Sequence, residues 1–362
     1  MRARFACCCL LGIFGPADLA LAQWADLPSA PTVNMPARAD SNSPTYWRDG
    51  DFYILNSTGT QLVSRGSDQF TPYWTQPVWV DSQDHLPMWI ESVWQDSDGT
   101  LFGWYHHEPA GVCSGSTLTA PEIGAVVSYD GGMSFVDLGI VLASGDPVDC
   151  NAKNGFFAGG NGDFSVILDR DQAYFYFLFD NYGGDLSGQG VAIARMAFGD
   201  RQDPVGAVSK YFQGDWTEPG LGGRLSPVFP AAVGWQQSKT DSFWGPSVHW
   251  NTYLESYVVL LNHACCAPNW PQEGIYIAYN PDLSNPAGWT APYKILGKVT
   301  YDAGYYPQVI GTNPGESDTV AGQVARLYVH GRSDWTIVFS KDGPPAESEP
   351  VPEPPAAPTE GP

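Results

Sequence analysis

Three observations predict an all-β chain folded as a five-bladed β-propeller. The sequence of 362 residues carries 14 Trp, 18 Tyr, 40 Gly and 31 Pro, yet only 15% of it is charged. That composition suits short strands and tight loops. No long stretch repeats its apolar residues at the 3.6-residue helical period. Five hairpins of one layout recur along the chain, each opening on a polar or aromatic residue, at positions 40, 91, 163, 244 and 306. Irregular repeats of this size, with about four strands in each, mark propeller blades.

The first hairpin runs through residues 40–47, turns at 48–51 and returns through 52–56. The second uses 91–95, a turn at 96–99 and 100–106. The third, residues 160–182, is the clearest: Asp163 opens FSVIL, Asp169-Arg170-Asp171 breaks it, and YFYFLF returns to Asp180-Asn181. Aromatic and β-branched runs bounded by turn formers read as paired strands. The fourth spans 244–250 and 256–262 and the fifth 306–310 and 323–330. Strand-like pieces at 124–128, 135–142, 191–196, 274–279 and 293–296 supply outer strands. After the fifth hairpin only residues 335–339 remain strand-like, so an N-terminal strand from residues 29–37 is expected to close the ring.

In such a ring the inner strands all start at one face beside the axis. Asp40, Glu91, Asp163, Trp244 and Tyr306 are therefore expected around one funnel mouth, with Asn56, His107, Glu108, Asp180, Asn181, Asn262 and His263 in a wider ring. Charged groups at blade openings serve no packing need, and desolvating them costs energy. Acidic residues gathered at one mouth are the strongest functional signal in the chain.

Residues 1–22 combine Arg2 and Arg4, an apolar run and Ala20-Leu21-Ala22, the layout of a secretory signal peptide cut after Ala22. A secreted or periplasmic domain over residues 23–342 is expected, followed by a disordered Pro- and Glu-rich tail at 343–362. No stretch is long and apolar enough to span a bilayer. Cys7, Cys8 and Cys9 fall in the signal, leaving Cys113, Cys150, Cys265 and Cys266. A Cys113–Cys150 bridge bracing the rim is expected. The adjacent pair forms either a vicinal disulfide or two separate bridges. The net charge of −22 argues against nucleic acid and disfavours a strongly anionic polymer, unless a basic pocket overrides it. Nothing points to an obligate oligomer, and a monomer is expected.

Several of these stretches resemble the five-bladed propeller glycosidases around glycoside hydrolase family 43. The likeness lies in Asp40 opening the first blade, the GDF…DRD…YFYF block around Asp163, Trp244-Gly245-Pro246 opening the fourth blade, and NPAGWTAPYKI at 285–295. It implies that Asp40 is the general base (or nucleophile), that Asp163 orients it or tunes its neighbours, and that a Glu is the general acid. The family often has Glu-Gly-Pro where this chain has Trp244-Gly-Pro. Glu91 is the replacement acid, with Glu108, Asp241, His249 and His263 in reserve. The likeness also implies an inverting reaction and a mild preference for furanosides such as arabinose. Residues 128–135, SYDGGMSF, resemble an Asp-box, a turn motif of sialidases and other propellers that closes the outer strands on the face away from the funnel.

Glycoside hydrolysis needs one protonated and one ionised carboxyl, and clustered acids push some pKa values up. Each residue has a plainer alternative. Asp40, in DSNSP, is also suited to an Asx-turn. Trp89, Trp104, Trp244 and Trp250 either stack on sugar or fill the space between blades. His106 and His107 point to opposite sides of a strand and suit no shared metal ion. No zinc spacing appears and no cofactor is implied, though a structural calcium in the channel is conceivable. No G-x-S-x-G elbow supports a Ser-His-Asp mechanism. A sialidase-like enzyme needs arginines that the blade openings lack. A non-catalytic sugar-binding propeller is the rival from another class.

Overall fold

The computed structural model describes residues 23–300 and 304–344. The predicted signal peptide lies outside the described residues, as does the tail beyond residue 344. The described chain is nearly all β, arranged as five sheets in a ring.

Blade 1 comprises Thr45–Arg48, Asp51–Ser57, Gln61–Gly66 and Pro72–Pro77 in consecutive antiparallel order. Blade 2 comprises Met88–Gln95, Leu101–His107, Glu122–Ser128 and Ser134–Leu142, with the short Trp79–Val80 parallel to its outer edge. Blade 3 runs Asn161–Leu168, Tyr174–Asn181, Gly190–Ala197, Val208–Phe212 and Asp215–Pro219. Blade 4 runs Asp241–Asn251, Ser256–Cys265, Gln272–Asn280 and Tyr293–Gly297. Blade 5 is built from both ends of the chain: Pro307–Gly311, Val324–Val329 and Arg332–Ser340, then Trp24–Asp26 and Ser29–Asn34 paired to the last of these.

The ring is thus closed by an N-terminal strand, as expected, with Trp24–Asp26 as an unforeseen extension. Trp24 lies flat on Tyr293 of blade 4, centroids 4.7 Å apart. The outer strands of blade 1 (residues 61–66 and 72–77) were not anticipated. Their sequence, QLVSRG and PYWTQP, mixes polar and Pro residues because the outermost strand is largely exposed. The first inner strand starts at Thr45 rather than at Asp40, and residues 40–44 approach it as irregular chain.

Aromatic side chains fill the space between blades. Trp104 is 2% exposed and packs against Phe175 and Phe177 of blade 3, so it is core and not a sugar platform. The Asp-box forms as the motif suggested. Asp130 accepts hydrogen bonds from the Met133 and Ser134 amides and from the Ser128 and Ser134 hydroxyls, closing the turn between the third and fourth strands of blade 2.

The inner strands present amides toward the axis that no neighbouring strand pairs, and side chains of adjacent blades accept them. Ser92 Oγ takes the Val166 amide at 2.8 Å, Ser165 Oγ the Val248 amide at 3.2 Å, and Gln308 Oε1 the Ser43 amide at 3.0 Å. Asp318 Oδ1 accepts both the amide and the hydroxyl of Thr45. Asn42 donates to the carbonyls of Phe164 and Pro246, tying blade 1 to blades 3 and 4.

Deleting residues 23–34 should leave the Arg332–Ser340 edge unpaired. Each lost backbone bond counts about 0.5–1.5 kcal/mol, so the loss expected in denaturant unfolding is roughly 3 kcal/mol or more; an unchanged midpoint would contradict this role for the N-terminal strands.

Candidate active site

Bulges at the blade openings re-aim side chains toward the axis. Strand Met88–Gln95 loses register between Ile90 and Ser92, leaving Glu91 as the extra residue. Strand Asn161–Leu168 does so between Gly162 and Phe164, leaving Asp163 at φ 39°. In blade 4 the break falls between Trp244 and Ser247. Its extra residues are Gly245 and Pro246, which carry no ionisable group.

Asp40, Trp89, Glu91, His106, Glu108, Asp163 and Tyr306 line one small cleft. All three residues expected to be catalytic therefore meet there, with Glu108 from the wider ring. Asp40 is exposed, while Glu91 and Asp163 are each 3% exposed. Asp40 is fixed through its backbone, donating its amide to the Ser57 carbonyl at 2.6 Å.

Both oxygens of Asp163 are held by phenols. Tyr182 donates to Oδ2, and Tyr306 donates to Oδ1 at 3.1 Å. Burial raises the Asp163 pKa, opposed by His106 and the two phenols. Glu91 Oε2 accepts the Phe164 amide at 3.1 Å. Burial pushes the Glu91 carboxyl well above its usual range; His106 opposes this, and the charges of Asp163 and Asp40 reinforce it.

His106 Nδ1 accepts the Asp163 amide at 3.0 Å, which requires its lone pair there and puts the ring proton on Nε2, 3.4 Å from Glu108 Oε1. Burial lowers its proton affinity, but Glu108, Asp163 and Glu91 outweigh that and raise its pKa to about 9. The Asp163 amide opposes a second proton on Nδ1, so amide and carboxylates compete for this ring. Glu91, His106 and Asp163 each offer a ligand atom, all within 4.8 Å of one another. A cation that used His106 Nδ1 or the Asp163 oxygens would have to displace the amide or the phenols bonded there.

The other expected contacts lie elsewhere. Trp244 is 2% exposed in an aromatic cluster with Trp235 and Trp270, and it touches the cleft only through the Tyr306 ring behind it. His107 faces away from His106, with Nδ1 3.1 Å from the Pro87 carbonyl. Asp180 is fully buried; its Oδ2 accepts the Gly245 amide at 2.7 Å, and Oδ1 has no partner. His249, at the other end of its strand, packs on Phe339, and burial depresses its pKa to about 3. His263 lies between Asp241 at 2.9 Å and Glu273 at 3.0 Å, a half-buried ion network on blade 4. These six line no part of the cleft; their strand positions send them to core or flank. His106, Tyr182 and Tyr306 were given no role by the sequence, although Tyr306 was expected at the mouth. Tyr306 stands just before an inner strand and His106 and Tyr182 at the ends of second strands, positions that pattern alone does not convert into hydrogen bonds. Both bridges, Cys113–Cys150 and the vicinal Cys265–Cys266, are present.

Burial, then the Asp163 charge, raises the Asp180 pKa well above normal. A carboxyl so raised holds its proton more tightly when folded, so its contribution to stability is greatest in acid and is lost as pH rises from the unfolded value near 4 through the folded one. Asp180→Asn should therefore raise the unfolding temperature more at pH 8 than at pH 5. Equal shifts at the two pH values would contradict a raised pKa.

No family model matches the sequence, and no curated protein matches it. Solved structures do. The α-L-arabinofuranosidase from Lactobacillus brevis aligns at 13% identity and a TM-score of 0.50, over 87% of this chain and 95% of that one. The endo-arabinase from Bacteroides thetaiotaomicron VPI-5482 aligns at 12% and 0.49, over 86% and 96%. A thermostable family-43 glycoside hydrolase aligns at 12% and 0.49, over 85% and 91%. At such identities the likeness concerns the fold: the chain shares the five-bladed propeller seen in glycosidases of that kind.

Proposed function

We propose that this protein is an exported glycoside hydrolase acting on an oligo- or polysaccharide, with inversion, and with furanosides such as arabinosides as the first substrates to try. The observation that carries the reading is an asymmetry within one cleft. Glu91 is buried and its carboxyl is pushed well above the usual range, while Asp40 faces solvent. Such a pair supplies the acid and the base of glycosidic cleavage. Asp40 takes a proton from water as the water oxygen bonds to the anomeric carbon. Glu91 delivers its proton to the departing glycosidic oxygen as the carbon–oxygen bond breaks. Asp163 touches neither atom; its charge adds to burial in raising the Glu91 pKa, and its phenols fix it in place. Glu108, a third exposed, is the second choice of acid. The solved neighbours described as arabinofuranosidase and endo-arabinase support the choice of substrates. The cleft lining contains no arginine, which disfavours a sialidase.

One specific feature favours a rival, non-catalytic sugar binder. The fourth opening offers Gly245-Pro246 and a buried Trp244 where an acid is otherwise expected. Turnover of aryl arabinofuranosides, aryl galactosides, arabinan and galactan separates the two readings. As general acid–base groups contribute roughly 10²–10⁴-fold, Asp40→Asn should lower kcat by about 10³-fold. Sugar binding without turnover, unaffected by Asp40→Asn, would establish the binder instead.

Glu91→Gln should slow substrates with poor leaving groups far more than activated aryl glycosides, since only the former need the proton. If Glu108→Gln shows that selectivity and Glu91→Gln does not, the acid is Glu108. Removing the Asp163 charge with Asp163→Asn should lower the Glu91 pKa, so the alkaline limb of the kcat profile should move to lower pH.

A further inference from the structure

We propose that the vicinal disulfide loop is a positioning element for the reaction centre: Cys265–Cys266 holds Trp270 in place, and Trp270 holds both phenols that grip Asp163. The proposal rests on the reading of Asp163 given above.

The loop joins Ser256–Cys265 to Gln272–Asn280 and is closed by the Cys265 amide, 3.4 Å from the Pro271 carbonyl. Three of its residues other than glycine have positive φ: Cys266 at 149°, Asn269 at 65° and Trp270 at 47°. A side chain as large as tryptophan rarely adopts such a backbone, and surrounding structure must hold it there. The cross-link between neighbours fixes the first peptide unit of the loop. Packing fixes the other end. Trp270 is 4% exposed, stacks on Tyr182 at 5.5 Å and 19°, and lies 5.6 Å from Trp244. Its carbonyl accepts the Tyr305 hydroxyl at 3.0 Å.

From there the path to Asp163 is short. Tyr182, wholly buried, donates to Oδ2. Trp244 meets Tyr306 edge-on at 5.7 Å, and Tyr306 donates to Oδ1. Trp270 thus backs one phenol directly and the other through Trp244. A displaced loop would free both carboxylate oxygens together, and with them a charge that acts on Glu91. A cluster that were only filler would have no reason to converge on both oxygens of one acid.

The test is hydrogen exchange on the full chain, which needs no turnover. Cys113→Ser/Cys150→Ser retains only the vicinal bridge. Dithiothreitol reduces it by thiol–disulfide exchange, ending as the cyclic disulfide while Cys265 and Cys266 become thiols. Should that variant fail to fold, Trp270→Ala and Trp270→Phe are compared in the native chain. Reduction, or Trp270→Ala, should speed exchange in Asn161–Leu168 by about five- to tenfold through local opening, while Trp270→Phe stays near wild type and Asp51–Ser57 in blade 1 is unchanged. No acceleration in Asn161–Leu168, or one shared equally by Asp51–Ser57, would overturn the proposal. In an active enzyme, kcat should fall with KM little changed and the alkaline limb should shift. If the wild type turns over no glycoside, the hydrolase reading fails while exchange still decides this one.

Discussion

The constraint behind both fold and site is that the inner edge of every blade carries backbone amides that no strand can pair. A buried amide without an acceptor costs about 1–3 kcal/mol, and five blades converge such edges on one axis. This chain meets the demand with side chains reaching across from the next blade. Ser92, Ser165, Gln308 and Asp318 do so along the channel. At the funnel mouth the acceptors are Glu91, His106 and Asp180. The cleft is the top layer of the same stitching, in which Glu91 and His106 are both acceptors and ionisable groups of the lining.

This dual duty explains the electrostatics. Glu91 and Asp180 each accept one amide, which favours the charged form, but burial outweighs a single hydrogen bond and both pKa values rise. Asp163 has two phenols and a nearby imidazole opposing the same burial. Asp40, held by its own amide and open to water, stands apart from this set. Position within the stitched layer or outside it separates the proposed acid from the proposed base.

Much of this was legible in the sequence, for physical reasons. Inner and second strands are buried on both faces, so they appear as dense aromatic and β-branched runs such as YFYFLF, and their openings stand out as acids in apolar surroundings. Edge strands such as Pro72–Pro77 are exposed and lack that signature. Asp40, Glu91, Asp163 and Glu108 could be named because a charge at a blade mouth has no packing purpose. Trp244, His107, His249 and His263 were misread for the complementary reason. Which side of a strand a residue takes depends on where the register slips, and a one-residue bulge leaves little trace in composition. The phenols of Tyr182 and Tyr306, 19 and 143 positions from Asp163, were invisible as partners because sequence pattern does not show where a hydroxyl will point.

The seam in blade 5 imposes an order of events. Ser29–Asn34 is among the earliest described segments to leave the ribosome, and its partner Arg332–Ser340 among the last. A closure spanning some three hundred positions cannot form until Arg332–Ser340 has been made, and contacts so remote in sequence are slow to find. Through that interval four blades stand with an open flank, while Asn42 waits for carbonyls in blades 3 and 4. Assembly of the mouth is therefore a late event.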